Sequence, residues 1–319
     1  MADLLDISSE VTSEEVVIEE IPLLAFRILG CTVVTFLVGI TIIIYVTAGM
    51  FHVDCLAQIC CECSIFIAYM LILLTTTESF RINSSMCLTI SIFLHLFFVS
   101  ASLFLLLEVI CMCQLLTTYF PKIIEASVKN VMLIGWSFPV VITGVTAIVC
   151  HNQYTTKKNC WLNTDESPYW PTLIPMMVFS CLQIVLILII TVFPSHVSLP
   201  EELYKRAKCY KTTRWASAII TIMLCLSWSF GVRAYHRGEE TYYAAFTVAS
   251  IFLGVCIIIL RISTDEEMRE KMTLYVLCWL KPVNKVNASN ANLFLTKKPF
   301  SEAQEDLKNG MLPSAADET

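Results

Sequence analysis

Three side chains able to hold or move charge lie inside long apolar stretches of this 319-residue chain: Glu62, His95 and Glu108. Ionisable groups are costly in hydrocarbon and normally face a bundle interior, so each is a functional candidate. His95 follows Cys87 by eight residues and Glu108 follows it by twenty-one. On one helix these separations amount to about 12 and 31 Å, placing His95 near one end and Glu108 near the other. Trp228, in Ser227-Trp228-Ser229-Phe230, has a similar depth to His95 in a later apolar run. Pointing inward together, His95 and Trp228 would floor a pocket, with Phe230 and Trp161 as further candidate lining residues. Glu108 suits a polar lock toward Arg214 or a polar group on another helix, or else a carboxylate snorkelling to the interface. Glu62 is left without an assigned role.

The elements that must position these residues are seven apolar runs, near 23–46, 55–76, 87–116, 131–150, 171–193, 215–232 and 242–260. Each is close to the roughly 20 residues a helix needs to cross a bilayer. They are too long and too evenly apolar for barrel strands. Hydrophobic residues make up 56% and charged residues 15% of the chain, and mean hydropathy is +0.70, outside the range of soluble domains. The expected fold is an all-α membrane protein, a bundle of seven transmembrane helices. Its parts are an acidic head over 1–22, the bundle over 23–262, a short amphipathic membrane-surface helix over 263–280 and a disordered tail over 281–319. The head, with seven carboxylates and no Lys or Arg before Pro22, does not read as a signal peptide. The first run is therefore expected to act as an uncleaved anchor.

Basic residues orient the bundle. Lys122, Lys129, Lys205, Arg206, Lys208, Lys211 and Arg214 follow the third and fifth runs, and Arg261, Arg269, Lys271, Lys281 and Lys285 follow the seventh. The positive-inside rule puts these in the cytosol, with the N-terminus outside and the C-terminus inside. Lys205, Arg206, Lys208 and Lys211 are then candidates to face a cytosolic partner, or simply meet anionic lipid. Asn83, in an Asn-Ser-Ser sequon, falls in an outer loop and is a candidate glycosylation site. Cys278 beside Trp279 is a candidate for palmitoylation.

Of fifteen cysteines, most lie within helices and behave as small apolar residues. Only Cys87, Cys160 and Cys150 reach the oxidising face. A Cys87–Cys160 bridge is expected, with Cys150–Cys160 as its competitor. Cys55, Cys60, Cys61 and Cys63 are spread around a helix by their spacing and are not expected to bind metal. No cofactor and no nucleic acid is implied.

Several motifs carry a family resemblance. The third run contains Cys87, then Leu94-His95-Leu96-Phe97-Phe98, then Leu107-Glu108; the fourth reads Ile134-Gly135-Trp136-Ser137-Phe138-Pro139. Cys160-Trp161-Leu162, Pro175, Leu226-Ser227-Trp228-Ser229-Phe230-Gly231, Phe246-Thr247, Gly254 and Glu267-Met268-Arg269 follow in order. The set resembles the seven-helix domain of adhesion-type G-protein-coupled receptors, within the secretin-like class, from about 23 to 280. The resemblance implies a signalling receptor, not an enzyme, that couples an unidentified extracellular ligand to a heterotrimeric G protein. It also implies a switching role for Trp228.

The departures are equally specific. Val109-Ile110-Cys111-Met112-Cys113, Ile222-Met223-Leu224-Cys225 and Ser250-Ile251-Phe252-Leu253 stand where the family carries polar or proline-containing elements. The short head leaves no room for the family's large self-cleaving outer domain. A truncated product or a divergent receptor is therefore expected. The competing reading is a non-signalling decoy or scaffold. A transporter fits less well, because no internal repeat is evident. A retinal pigment is disfavoured because 242–260 contains no lysine.

Overall fold

A computed structural model describes residues 2–77, 84–116, 127–150, 154, 160, 169–192, 201–237, 239–265 and 268–273, for 2–23, 115–116, 169, 201–211 and 236 in their backbone only. The chain divides into two compact units, Met1–Met272 and Thr273–Thr319. Among the described residues the long helices of the first are α1 (Ala2–Thr47), α2 (Val53–Leu74), α3 (Ser84–Leu116), α4 (Val128–Val149), α5 (Tyr169–Val192), α6 (Glu201–Arg237) and α7 (Glu240–Thr264). Each contains a stretch long and apolar enough to cross a membrane.

The helices extend beyond the apolar runs. α1 continues back through the acidic head, and α6 begins at Glu201. Lys205, Arg206, Lys208 and Lys211 therefore stand on helical backbone rather than in a loop. Hydropathy marks where lipid contact ends, whereas helical hydrogen bonding persists into water, which explains the difference.

α3 is the central post. About 78% of its most apolar stretch is buried, against 28% for α4 and 33% for α5. It packs against α2, α4, α5 and α6, while α7 closes the other side by contacting α1 and α6. Leu133, Val141, Ile148, Ile174, Val178 and Val185 point outward from α4 and α5, as lipid-facing side chains do.

Small residues set the closest approaches. A Cβ on Gly254 of α7 would stand 3.2 Å from Val34 Cα, and one on Gly30 of α1 would stand 3.0 Å from Thr247 Cα. These glycines let two backbones touch where lipid tails supply no hydrophobic drive toward association. Thr247 Oγ1 uses the proximity to donate to the Phe26 carbonyl at 2.7 Å. On α4, a Cβ at Gly135 would overlap the buried Phe104 ring. The adjacent Trp136 meets Phe104 and Phe97 edge-on, at 5.3 and 6.2 Å. The Gly135-Trp136 pair is thus the seam between α3 and α4.

At the end of α1, Gly49 takes a left-handed φ of 65°. Met50 N–H bonds back to Tyr45 O at 3.3 Å and Gly49 N–H to Val46 O at 3.2 Å, a glycine-based helix stop. α7 ends at Thr264, and Asp265 Oδ1 accepts from Met268 N–H at 3.1 Å, capping the next helical turns. Met268 is buried among Tyr45, Met50, Cys55 and Ile59, and Lys271 Nζ reaches Ala48 O at 2.9 Å. The start of the expected amphipathic segment is thereby fastened to the α1–α2 turn.

Candidate functional site

The polar groups of the bundle fall into layers along its axis. Near the start of α3, Cys87 bridges to Cys160, with Cα atoms 4.7 Å apart; Cys150 stays a free, buried thiol. The bridge fastens the loop between α4 and α5 onto α3. Tyr154 of that loop is fully buried, and its hydroxyl lies 2.5 Å from His95 Nδ1. Burial pushes the Tyr154 phenol above the usual tyrosine range, so the hydroxyl stays protonated and available to hydrogen-bond the ring. A tyrosine from the loop thus covers Nδ1 of His95. Trp228 is buried and Phe230 half-buried against the same core.

Midway down, Tyr69 of α2 holds Ser227 of α6 at 2.5 Å and Ser250 of α7 at 3.2 Å, and the two serines are 2.9 Å apart. The Tyr69 ring stacks on Phe246 at 6.3 Å and meets Phe98 edge-on at 6.4 Å. Ser227 is the residue before Trp228, so any turn of α6 that repacks the indole also disturbs this knot. A further link joins α5 to α6, where Thr221 donates to Gln183 Oε1 at 2.8 Å.

Near the far end of α3 lies the densest cluster. Arg261 of α7 grips Glu108 with two nitrogens, Nη1 to Oε1 at 2.6 Å and Nη2 to Oε2 at 3.0 Å. Gln58 Nε2 of α2 donates to Glu108 Oε1 at 2.7 Å, and Tyr45 of α1 donates to Gln58 Oε1 at 2.6 Å. Arg261 Nε also approaches Glu62 Oε1, at 3.3 Å. Glu62 and Glu108 are completely buried and Arg261 is 1% exposed. The planar guanidinium fork matches a carboxylate in two-point contact, and low dielectric strengthens each bond. Four helices, α1, α2, α3 and α7, are tied through a single carboxylate.

Of the two expected kinds of partner for Glu108, the structure brings polar groups of other helices, Arg261 and Gln58, onto it rather than Arg214. Arg214 instead extends Nη1 to the Ile190 carbonyl of α5, at 3.5 Å, with its guanidinium 6.0 Å from the Trp215 ring centre. The snorkelling alternative fails too, because Glu108 has no exposed surface. Arg261 reads in sequence as a rim residue just past the seventh apolar run, yet α7 continues to Thr264 and draws it inside. The available signal was an arginine within the last apolar turn, Ile258-Ile259-Leu260-Arg261-Ile262. Tyr154 carried no comparable signal, since a loop tyrosine says nothing about depth. Asn83, Trp161 and Cys278, and the side chains of Lys205, Arg206, Lys208 and Lys211, lie outside the described residues.

Comparison with known proteins agrees with this geometry. The family described as "7 transmembrane receptor (Secretin family)" matches residues 22–258. Adhesion G-protein coupled receptor D1 of Bos taurus is 24% identical over 254 residues, covering 79% of this chain and 27% of that protein. The Homo sapiens receptor of the same name is 24% identical over 256 residues, covering 79% of this chain and 28% of its own length. Adhesion G-protein coupled receptor G4 of Homo sapiens is 22% identical over 272 residues, covering 82% of this chain and 9% of that protein. The chain thus spans less than a third of each of these relatives. It is a multi-pass protein of the plasma membrane, and it belongs to the secretin family of seven-transmembrane receptors.

Proposed function

We propose that the chain is a signalling receptor that relays an extracellular stimulus to a heterotrimeric G protein, with its N-terminus outside and its C-terminus in the cytosol. The observation that carries this reading is the buried two-point Glu108–Arg261 pair, which ties α3 to α7 near the end where lysines and arginines accumulate. While it holds, α3 and α7 are fixed against one another, with α2 and α1 attached through Gln58 and Tyr45. A stimulus at the disulfide end that repacks Trp228 and the Tyr69–Ser227–Ser250 knot would release it, opening a cytosolic cleft. Two discrete packings of this kind are what a switch requires. Family membership and the names of the relatives support the G protein as partner. The basic start of α6 and the turns after Asp265 flank that cleft in this reading.

G-protein dissociation sensors in cells test the proposal, comparing wild type with Glu108→Gln and Trp228→Ala at matched surface levels. Glu108→Gln removes the charge that holds Arg261 and should raise basal activation several-fold, whereas Trp228→Ala should blunt that rise when combined with it. Silence of every G-protein class in all variants, with normal surface delivery, would favour the decoy or scaffold reading instead.

A further inference from the structure

We propose that Glu62 is a second seat for the Arg261 guanidinium, a positioning residue that receives the arginine when Glu108 releases it. The proposal rests on reading the Glu108–Arg261 pair as the lock. In the arrangement seen here Glu108 takes both terminal nitrogens of Arg261 and a third hydrogen bond from Gln58. Glu62 meets only the approach of Nε, at 3.3 Å. Both Glu62 oxygens are buried, and beyond this ion-pair approach of Nε neither accepts a hydrogen bond, so most of the acceptor capacity of the carboxylate is unspent.

A surplus carboxylate in hydrocarbon is expensive, and packing alone offers no reason for it. Its place beside Arg261 does. Arginine cannot shed its proton, so once α3 moves away from α7 the guanidinium either finds another carboxylate or remains an unpaired cation in the apolar interior. Breaking a buried pair is severe for that reason. Glu62 is on α2, and a rotation about the last side-chain bonds of Arg261 would bring a terminal nitrogen onto it. The helices α3 and α7 could then separate while α2 and α7 stay neutralised. Arg261 on Glu108 and Arg261 on Glu62 are two discrete states, and Gln58, bonded to Glu108 and Tyr45 in the first, becomes free to follow either.

Thermal unfolding of the purified full chain in detergent tests this without reference to signalling. Glu62→Gln or Glu108→Gln alone leaves Arg261 one carboxylate, so each single variant should lower the melting temperature modestly. The double variant strands the cation, and its loss should exceed the sum of the two singles, since residues sharing a partner couple. Adding Arg261→Met to the double variant should recover part of that loss by removing the stranded charge. If the double variant is too unstable to purify, its surface level against that of the triple variant gives the same decision. Additive losses, or a triple variant no better than the double, would overturn the second seat. Raised basal signalling by Glu108→Gln together with additive losses would keep the lock and remove Glu62 from it, so the two readings fail separately.

Discussion

At the scale of single residues, the bundle shows how much a polar atom can do once water is excluded. Glu108 accepts three bonds from two helices, whereas in water each would be exchanged for a bond to solvent at little net gain. The His95–Tyr154 contact follows the same logic at the opposite end. Tyr154→Phe keeps the ring that fills the site and deletes the hydroxyl that meets Nδ1. It should destabilise the purified protein by about 1–3 kcal/mol, the cost of leaving a buried polar group unpaired, and thermal unfolding reads this directly. A melting temperature equal to wild type would mean that the ring alone seals the site. His95 and Glu108 were visible in the sequence because an ionisable residue within an apolar run is rare by cost. Arg261 was hidden because its run ends at it, and a boundary arginine looks like the solvated residues that follow. Its partner could not be chosen by spacing, since Arg214 and Arg261 are both plausible in depth and only the rotation of α6 and α7 decides between them.

At the scale of elements, all seven spans were legible because hydrocarbon thickness fixes both length and composition. Their overhangs were not, since helical bonding beyond the lipid leaves no hydropathy signature; α6 running back to Glu201 is the clearest case. Motifs that sequence offers only as a pattern acquire causes here. Gly135 precedes Trp136 because the Phe104 ring occupies the volume its side chain would need. Gly135→Ala should therefore overpack the α3–α4 seam, costing about 1–3 kcal/mol and lowering surface delivery. A second change, Phe104→Leu, should restore part of the loss by vacating that volume. Flow cytometry on an outer epitope measures both, and unchanged delivery of Gly135→Ala would show that α4 can shift away freely.

At the scale of the whole molecule, the disulfide and the buried pair hold opposite ends of the same post, α3. The bridge restrains the chain between α4 and α5 at Cys160, and the pair restrains the helix ends that would have to part. Cys87→Ser and Cys160→Ser should lower surface delivery to the same extent, and the double variant should be no worse than either, because all three lose one bond. Unequal losses would assign one of the thiols a second role. The central claim is that Glu108 and Arg261 act as one lock, and a double-mutant cycle on basal G-protein activation tests it most directly. Glu108→Gln and Arg261→Gln, each at wild-type surface level, should both raise basal activation, and the double variant should be no higher than the larger single. Activation that adds across the two substitutions, or that rises in neither, would contradict it.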